Sequence, residues 1–182
     1  MIISAKEIAD MIVMTAAVGF FFKDFFKTKK YGFDWNAFKF SCLITAPALI
    51  FHELAHKFFA LYYGLQATFH AAYIWLGIGI VLRLARFPFI FFVPAYVGIS
   101  GATKIPPMQM SLIAAAGPLT NLALFLIAWG ILKKKRNLSR KTMLFLVITK
   151  QLNLFLFIFN MLPIPFFDGH KVFSGLIQAL AH

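Results

Sequence analysis

Four apolar runs, roughly 4–22, 37–63, 110–132 and 142–162, approach or exceed the ~20 residues that a helix needs to cross a bilayer. Backbone in hydrocarbon must satisfy its own hydrogen bonds, so runs of this length restrict the chain to spanning helices. Composition agrees: of 182 residues 61% are hydrophobic and 13% charged, against roughly 45–50% and 25% in a globular chain. The expectation is an α-helical polytopic membrane protein with about four full transmembrane helices, a single membrane-embedded domain over 1–182 whose core is about 37–170. Ser4 and Glu7 have the spacing of a capping box ahead of the first run, which reads as a retained helix and not as a cleaved signal.

Between the second and third spans the chain stays apolar but is broken by Arg83, Arg86, Pro88, Pro94, Pro106 and Pro107. If the basic clusters that follow the first and the 110–132 runs share a face, this segment starts and ends on the opposite one. It therefore reads as a re-entrant helical piece near 71–82 followed by extended chain over Phe89–Ile99. That stretch is rich in aromatic and β-branched residues, giving short membrane-associated β-strands between the second and third spans. Irregular backbone at membrane depth is tolerated only against protein or a wet cavity.

Lys and Arg number 18 against six acids, a formal charge of +12. In this setting the basic residues point to anionic membrane lipids and not to nucleic acid, because they cluster beside apolar runs: Lys23, Lys27, Lys29 and Lys30, then Lys133, Lys134, Lys135, Arg136, Arg140 and Lys141. The single cysteine, Cys42, lies in a span and cannot form an internal disulfide.

Inside the second run stands His52-Glu53-Leu54-Ala55-His56. On a helix the two histidines at i and i+4 share a face, and Glu53 lies about 100° around from His52, within reach of a metal-bound water. An ionisable group in a span costs roughly 2.5–3.5 kcal/mol on the lenient insertion scale, so three together imply a task. Catalytic zinc takes three protein ligands and leaves a fourth position open. The acids are Glu7, Asp10, Asp24, Asp34, Glu53 and Asp168, and the first four lie before or at the start of the histidine helix, towards its far end. Asp168 is thus the third-ligand candidate, carried back towards the metal by extended chain after Pro163 and Pro165 end the 142–162 helix. The same residue could instead cap a final helix over about 170–181. His70, His170 and His182 are the other nitrogen donors and read as interfacial histidines. Pro47, about one turn before His52, could bend the helix and admit water.

Three pieces stand in order: His52 to His56; Gly117-Pro118-Leu119-Thr120-Asn121; and Asn160 to Gly169, reading N-x-x-P-x-P-x-x-D-G. Together they resemble the site-2 protease family of intramembrane zinc metalloproteases, in a compact archaeal-like form without PDZ or nucleotide-sensing domains, from about residue 37 to the end. The resemblance implies one Zn2+ per chain held by His52, His56 and Asp168, with Glu53 as general base. Asn121 and Asn160 would then hold substrate or polarise its carbonyl. It also implies transmembrane protein substrates, a multi-pass location in a prokaryotic cell membrane and a site near the cytosolic face. The charge bias would place both basic clusters in the cytosol and the metal near the exterior, so orientation stays open.

A substrate helix hides its carbonyls in i to i−4 bonds and must unwind before attack. The strand bearing Val93, Ala95, Tyr96 and Val97 could receive the unwound chain by β-augmentation, interrupted at Pro94, which has no donor. Two rival readings remain: a non-catalytic membrane protein that binds or transports metal, and a rhomboid-like serine protease using Ser100 in Gly98-Ile99-Ser100-Gly101. An intact Glu53 argues against the first. Pro106 and Pro107 argue against a long helix starting at Ser100, as the second would need.

Overall fold

The computed structural model describes residues 2–27, 30–85, 87, 93–101, 105–135 and 137–181. Among them lie α1 (Ala5–Phe22), α2 (Trp35–Tyr62), α3 (Tyr73–Leu84), α4 (Pro107–Lys134), α5 (Arg140–Asn160) and α6 (Asp168–Leu180), with a 3-10 turn at Lys23–Phe26. Two strands, β1 (Gln66–Ala71) and β2 (Ala95–Ser100), pair in a small sheet. The chain divides into two compact units, one of Met1–Ile50 and Thr68–Tyr96, the other of Phe51–Ala67 and Val97–His182.

Three helices are long and apolar enough to cross a membrane: α2 and α4 with 28 residues each and α5 with 21. At 1.5 Å per residue even 21 residues reach about 31 Å, the thickness of a hydrocarbon core. The expected first span forms as α1 over 18 residues, but Lys6, Glu7 and Asp10 in its opening turns keep it out of that set. The expected re-entrant piece falls on α3, whose 12 residues rise only about 18 Å and cannot cross.

The expected strand is shorter and later than the sequence suggested. β2 begins at Ala95, Val93 and Pro94 lie in irregular chain ahead of it, and 89–92 are outside the described residues. Its partner β1 was not anticipated, although Gln66 to Ala71 shows the alternate burial of a half-buried strand, with Ala67, Phe69 and Ala71 inward.

In the first unit the core is Met14, Val18 and Phe21 of α1 against Phe69 and Ala71 of β1, Leu76 of α3 and Ala95 of β2. Gly79 of α3 sits under the Phe21 ring, where a Cβ would approach it to 2.8 Å. The capping box forms as expected: the Ser4 Oγ accepts from the Glu7 N–H at 3.3 Å, and Glu7 Oε2 accepts from the Ser4 N–H at 2.8 Å. Glu7 does more than cap. Its Oε1 accepts from the buried Phe69 N–H at 2.8 Å, so one carboxylate holds both the start of α1 and the middle of β1. Asp10, also buried, accepts from the Tyr73 hydroxyl at 2.5 Å at the first residue of α3. At α2, Asp34 Oδ1 accepts from the Asn36 and Ala37 N–H groups at 3.1 Å each, satisfying two donors at the helix start. Near the surface, Lys23 pairs with Asp24 at 2.8 Å, and Arg83 bonds the other Asp24 oxygen. The hydrogen bond from Lys23 outweighs what burial would add and holds the Asp24 carboxyl below its ordinary value.

In the second unit α4 packs along α5 and α6. Ala60, Ala67 and Ile113 form the core, flanked by Leu61, Leu65, Val97, Ile99 and Ile105. α4 opens on Pro107, where the missing N–H costs nothing. Ser111 of α4 donates to the Val172 carbonyl of α6 at 2.9 Å, and Gly175 of α6 faces Ser111 so closely that a Cβ would strike its Oγ.

Glu7→Ala should destabilise the protein by about 1–3 kcal/mol, since the Phe69 N–H would stay buried without its acceptor. Thermal unfolding in detergent, compared with Ser4→Ala, which removes only the other half of the cap, checks this. Equal losses in the two variants would show that the strand contact adds nothing.

Candidate metal centre

α2 delivers His52 and His56 one turn apart, both buried, at 5% and 7% exposure. Their Nε2 atoms lie 3.1 Å from each other. Asp168 Oδ2 is 3.1 Å from the first and 3.3 Å from the second. For metal–donor lengths of about 2.0–2.1 Å the edge of a coordination tetrahedron is about 3.3 Å, so three donors at these separations fit three corners of a zinc site. Among the described residues these are the three His, Cys, Asp or Glu side chains that could hold a metal together.

Each ring is held from behind. His56 Nδ1 is 2.8 Å from the Ile113 carbonyl, an acceptor, so Nδ1 carries the proton and the neutral ring turns its Nε2 lone pair to the site. Residue 118 is a proline inside α4 and cannot donate the ladder bond to the Ala114 carbonyl, next to Ile113. His52 Nδ1 is 2.6 Å from Asn121 Oδ1. Asn121 in turn donates from Nδ2 to Asn153 Oδ1 at 2.8 Å. Two lone pairs and a carboxylate converging in a buried space repel one another unless a cation lies between them.

Close backbone approach makes the convergence possible. At Gly117 a Cβ would strike His56 Nε2 and come within 2.7 Å of His52 Nε2. At Gly169 a Cβ would strike the Met161 carbonyl, so the loop after α5 and the start of α6 meet only through glycine.

Asp168 is the first residue of α6, not its cap. Phe167 holds the cap position and its side chain makes no capping bond, which leaves the Asp168 carboxylate free to face the imidazoles. The path to it differs from the expected extended run. Residues 161–167 form consecutive turns, with Leu162 N–H bonded to the Phe159 carbonyl at 3.2 Å and Phe167 N–H to the Ile164 carbonyl at 3.2 Å. Phe166 adopts a left-handed φ of 80°, uncommon for an aromatic residue, to close the second turn.

Glu53 is half-buried beside His52, within electrostatic range of His52, Asp168 and Lys171. Asn121 faces His52 with its oxygen and Asn153 with its nitrogen. Asn160 ends α5, half-buried. Asn153, which the sequence reading passed over, is 1% exposed. An Asn on an apolar helix was the available signal. Ala95, Tyr96 and Val97 lie in β2, whereas Val93 precedes it. His70 stacks on Tyr96 in the first unit, His170 is exposed on α6, and His182 is outside the described residues. Ser100 ends β2 and is followed by a turn at Gly101 with φ 84°. A serine opening a helix, which the rhomboid reading requires, is therefore not what stands there.

A helical chain with a buried His-Glu-x-x-His helix and a converging aspartate defines a metallopeptidase-like class, and known proteins narrow it. The chain is 37% identical over 172 residues, 93% of its own length and 84% of the relative's, to "Putative zinc metalloprotease MJ0611" of Methanocaldococcus jannaschii. It is 33% identical over 82 residues, 41% of its length and 37% of the relative's, to "Putative zinc metalloprotease YwhC" of Bacillus subtilis. No family model and no solved structure matches it. The chain belongs to this zinc metalloprotease family.

Metal analysis of purified protein checks the geometry. Asp168→Ala should lower zinc content substantially. Gly117→Ala should do the same although helix propensity favours Ala by about 1 kcal/mol, while Gly130→Ala in the same helix, where a Cβ meets open space, should not. Full zinc content in Gly117→Ala would mean that the histidines are not the ligands.

Proposed function

We propose that the protein is an intramembrane zinc metalloendopeptidase of the site-2 protease type, hydrolysing a peptide bond in or near the transmembrane segment of membrane-protein substrates. The observation that carries this reading is the set of three donor atoms 3.1 to 3.3 Å apart, two of them on a helix apolar enough to span and the third on α6, with Glu53 next to His52. Family membership supports the zinc and the protease chemistry.

In this reading one zinc per chain is held by His52, His56 and Asp168. When bound, the metal supplies a Lewis acid that polarises the substrate carbonyl and brings the pKa of water towards 7. Glu53 accepts the proton of the attacking water and returns it to the departing amine. Asn160, at the end of α5 eight residues before Asp168, is placed to meet substrate backbone. Asn121 serves the metal ligand instead. Ala95, Tyr96 and Val97, with Val93 as the approach, offer extended chain on which an unwound substrate can pair, β1 already occupying one side of the sheet. The single membrane-embedded domain sits in a prokaryotic cell membrane, with Lys133, Lys134, Lys135, Arg140 and Lys141 near the α4–α5 connection meeting anionic headgroups.

The rival with an observation behind it is a metal binder without catalysis, since the donor set alone would serve either role. Glu53→Gln separates the two. The amide keeps size and packing but cannot take a proton, so zinc should stay and cleavage of a model transmembrane substrate in bilayers should fall by at least ~100-fold. Wild-type rates in the variant would remove Glu53 as the base. No cleavage by wild-type protein carrying full zinc would favour the carrier.

A further inference from the structure

His52 and His56 present equivalent nitrogens to the site, yet they are supported by different means. Behind His56 stands a backbone carbonyl, that of Ile113, which can only accept. Behind His52 stands a side-chain amide, and an amide can turn over: with its oxygen forward Asn121 demands a proton on His52 Nδ1, with its nitrogen forward it demands the proton on Nε2. The second arrangement would put an N–H where a metal ligand must offer a lone pair.

What decides between them lies two residues further back. Asn153 Nδ2 is 2.8 Å from the carbonyl of Thr149, one turn earlier in α5. That carbonyl has no proton to give, so the Asn153 atom facing it is the nitrogen and the atom facing Asn121 is the oxygen. Asn121 must then meet Asn153 with its own nitrogen, at 2.8 Å. Its oxygen is left for His52 Nδ1, at 2.6 Å. Asn121 and Asn153 are 0% and 1% exposed, so bulk solvent does not reach the links. Turning either amide would set oxygen against oxygen or nitrogen against nitrogen, and each turn passes the conflict along until it reaches a backbone group that cannot turn.

We propose that Asn153 is a positioning residue for the metal centre: through Asn121, and anchored on the Thr149 carbonyl, it fixes His52 with its proton on Nδ1 and its Nε2 lone pair towards His56 and Asp168. This rests on the metal-centre reading above and adds to it a residue outside all three sequence pieces. Groups that orient a ligating histidine are worth roughly 10–100-fold in metal affinity. Asn153 acts at one remove, so the low end of that range applies to it.

The test is a double-mutant cycle on the full-length protein in bilayers, reading zinc affinity by chelator competition and, in metal-free protein, the 15N signals of the His52 ring. Asn153→Ala should weaken zinc binding about 10-fold and Asn121→Ala by at least as much. The double variant should bind no more weakly than Asn121→Ala alone, because a relay is lost only once. In the metal-free wild type His52 Nδ1 should carry a proton whatever Nε2 holds, and in Asn153→Ala that Nδ1 proton should be missing from part of the population. Asn153→Ser, too short to bridge but still polar, should reproduce the effect if the alanine variant does not fold. Zinc affinity unchanged in Asn153→Ala and Asn153→Ser overturns the relay, as does a double variant in which the two losses multiply. A wild type that binds no zinc but holds the Nδ1 proton, partly lost in Asn153→Ala, overturns the metal reading while sustaining the relay.

Discussion

Three electron-rich atoms within 3.1 to 3.3 Å of one another, two on buried rings and one on a partly buried carboxylate, set the terms for the second unit of this protein. Such a cluster is repulsive by itself and becomes favourable only around a cation, so the fold must hold it together before the cation arrives. The holding is done by groups that carry no charge. A carbonyl of α4 accepts a hydrogen bond from His56 Nδ1, an amide oxygen of α4 accepts one from His52 Nδ1, and a turn closed by Phe166 brings up the carboxylate. Neutral supports cost less to bury in an apolar unit than a second layer of carboxylates would.

Packing this close is possible because three glycines stand where helices or loops meet. Gly117 lets α4 lie against the two imidazoles, Gly169 lets α6 start against the end of α5, and Gly175 lets α6 close on Ser111. The last contact sits two turns from Asp168. With the bond from Ser111 to the Val172 carbonyl it fixes the path of α6, and so the height at which Asp168 reaches the histidines. A centre built on α2 therefore depends on how α4 and α6 pack, which explains why the Gly-Pro and Asp-Gly pieces are separated from the histidines in sequence but not in function.

That His52, His56 and Asp168 converge is legible in the sequence because the constraint is local or arithmetical: i and i+4 on a helix puts two rings on one face, and the acid inventory leaves Asp168. The long apolar helices were legible from length alone, and α2, α4 and α5 fall within a few residues of the expected runs. What could not be read was set by tertiary partners. β1 has only six residues and becomes a strand through β2 and the Glu7 carboxylate. The turns at 161–167 defeat the expectation of extended chain because two prolines fix their own φ but not that of Phe166 between them and Asp168. The place of Asn121 in a motif was visible, whereas the direction of its amide depends on Asn153, 32 residues away.

α1 shows the same limit from the other side. In the sequence its Glu7 and Asp10 lie before the histidine helix, towards its far end from the metal, and Glu7 reads as a capping residue. Both are buried, at 3% and 1% exposure, and both act on elements more than 60 residues away, Glu7 on the Phe69 N–H and Asp10 on the Tyr73 hydroxyl. A strand of six residues has too few ladder bonds to hold itself, and a buried N–H without an acceptor would cost it further. An acid on a neighbouring helix supplies what the strand lacks, and the helix in return gains partners for two buried carboxylates. The charges of α1 are therefore part of how the first unit packs.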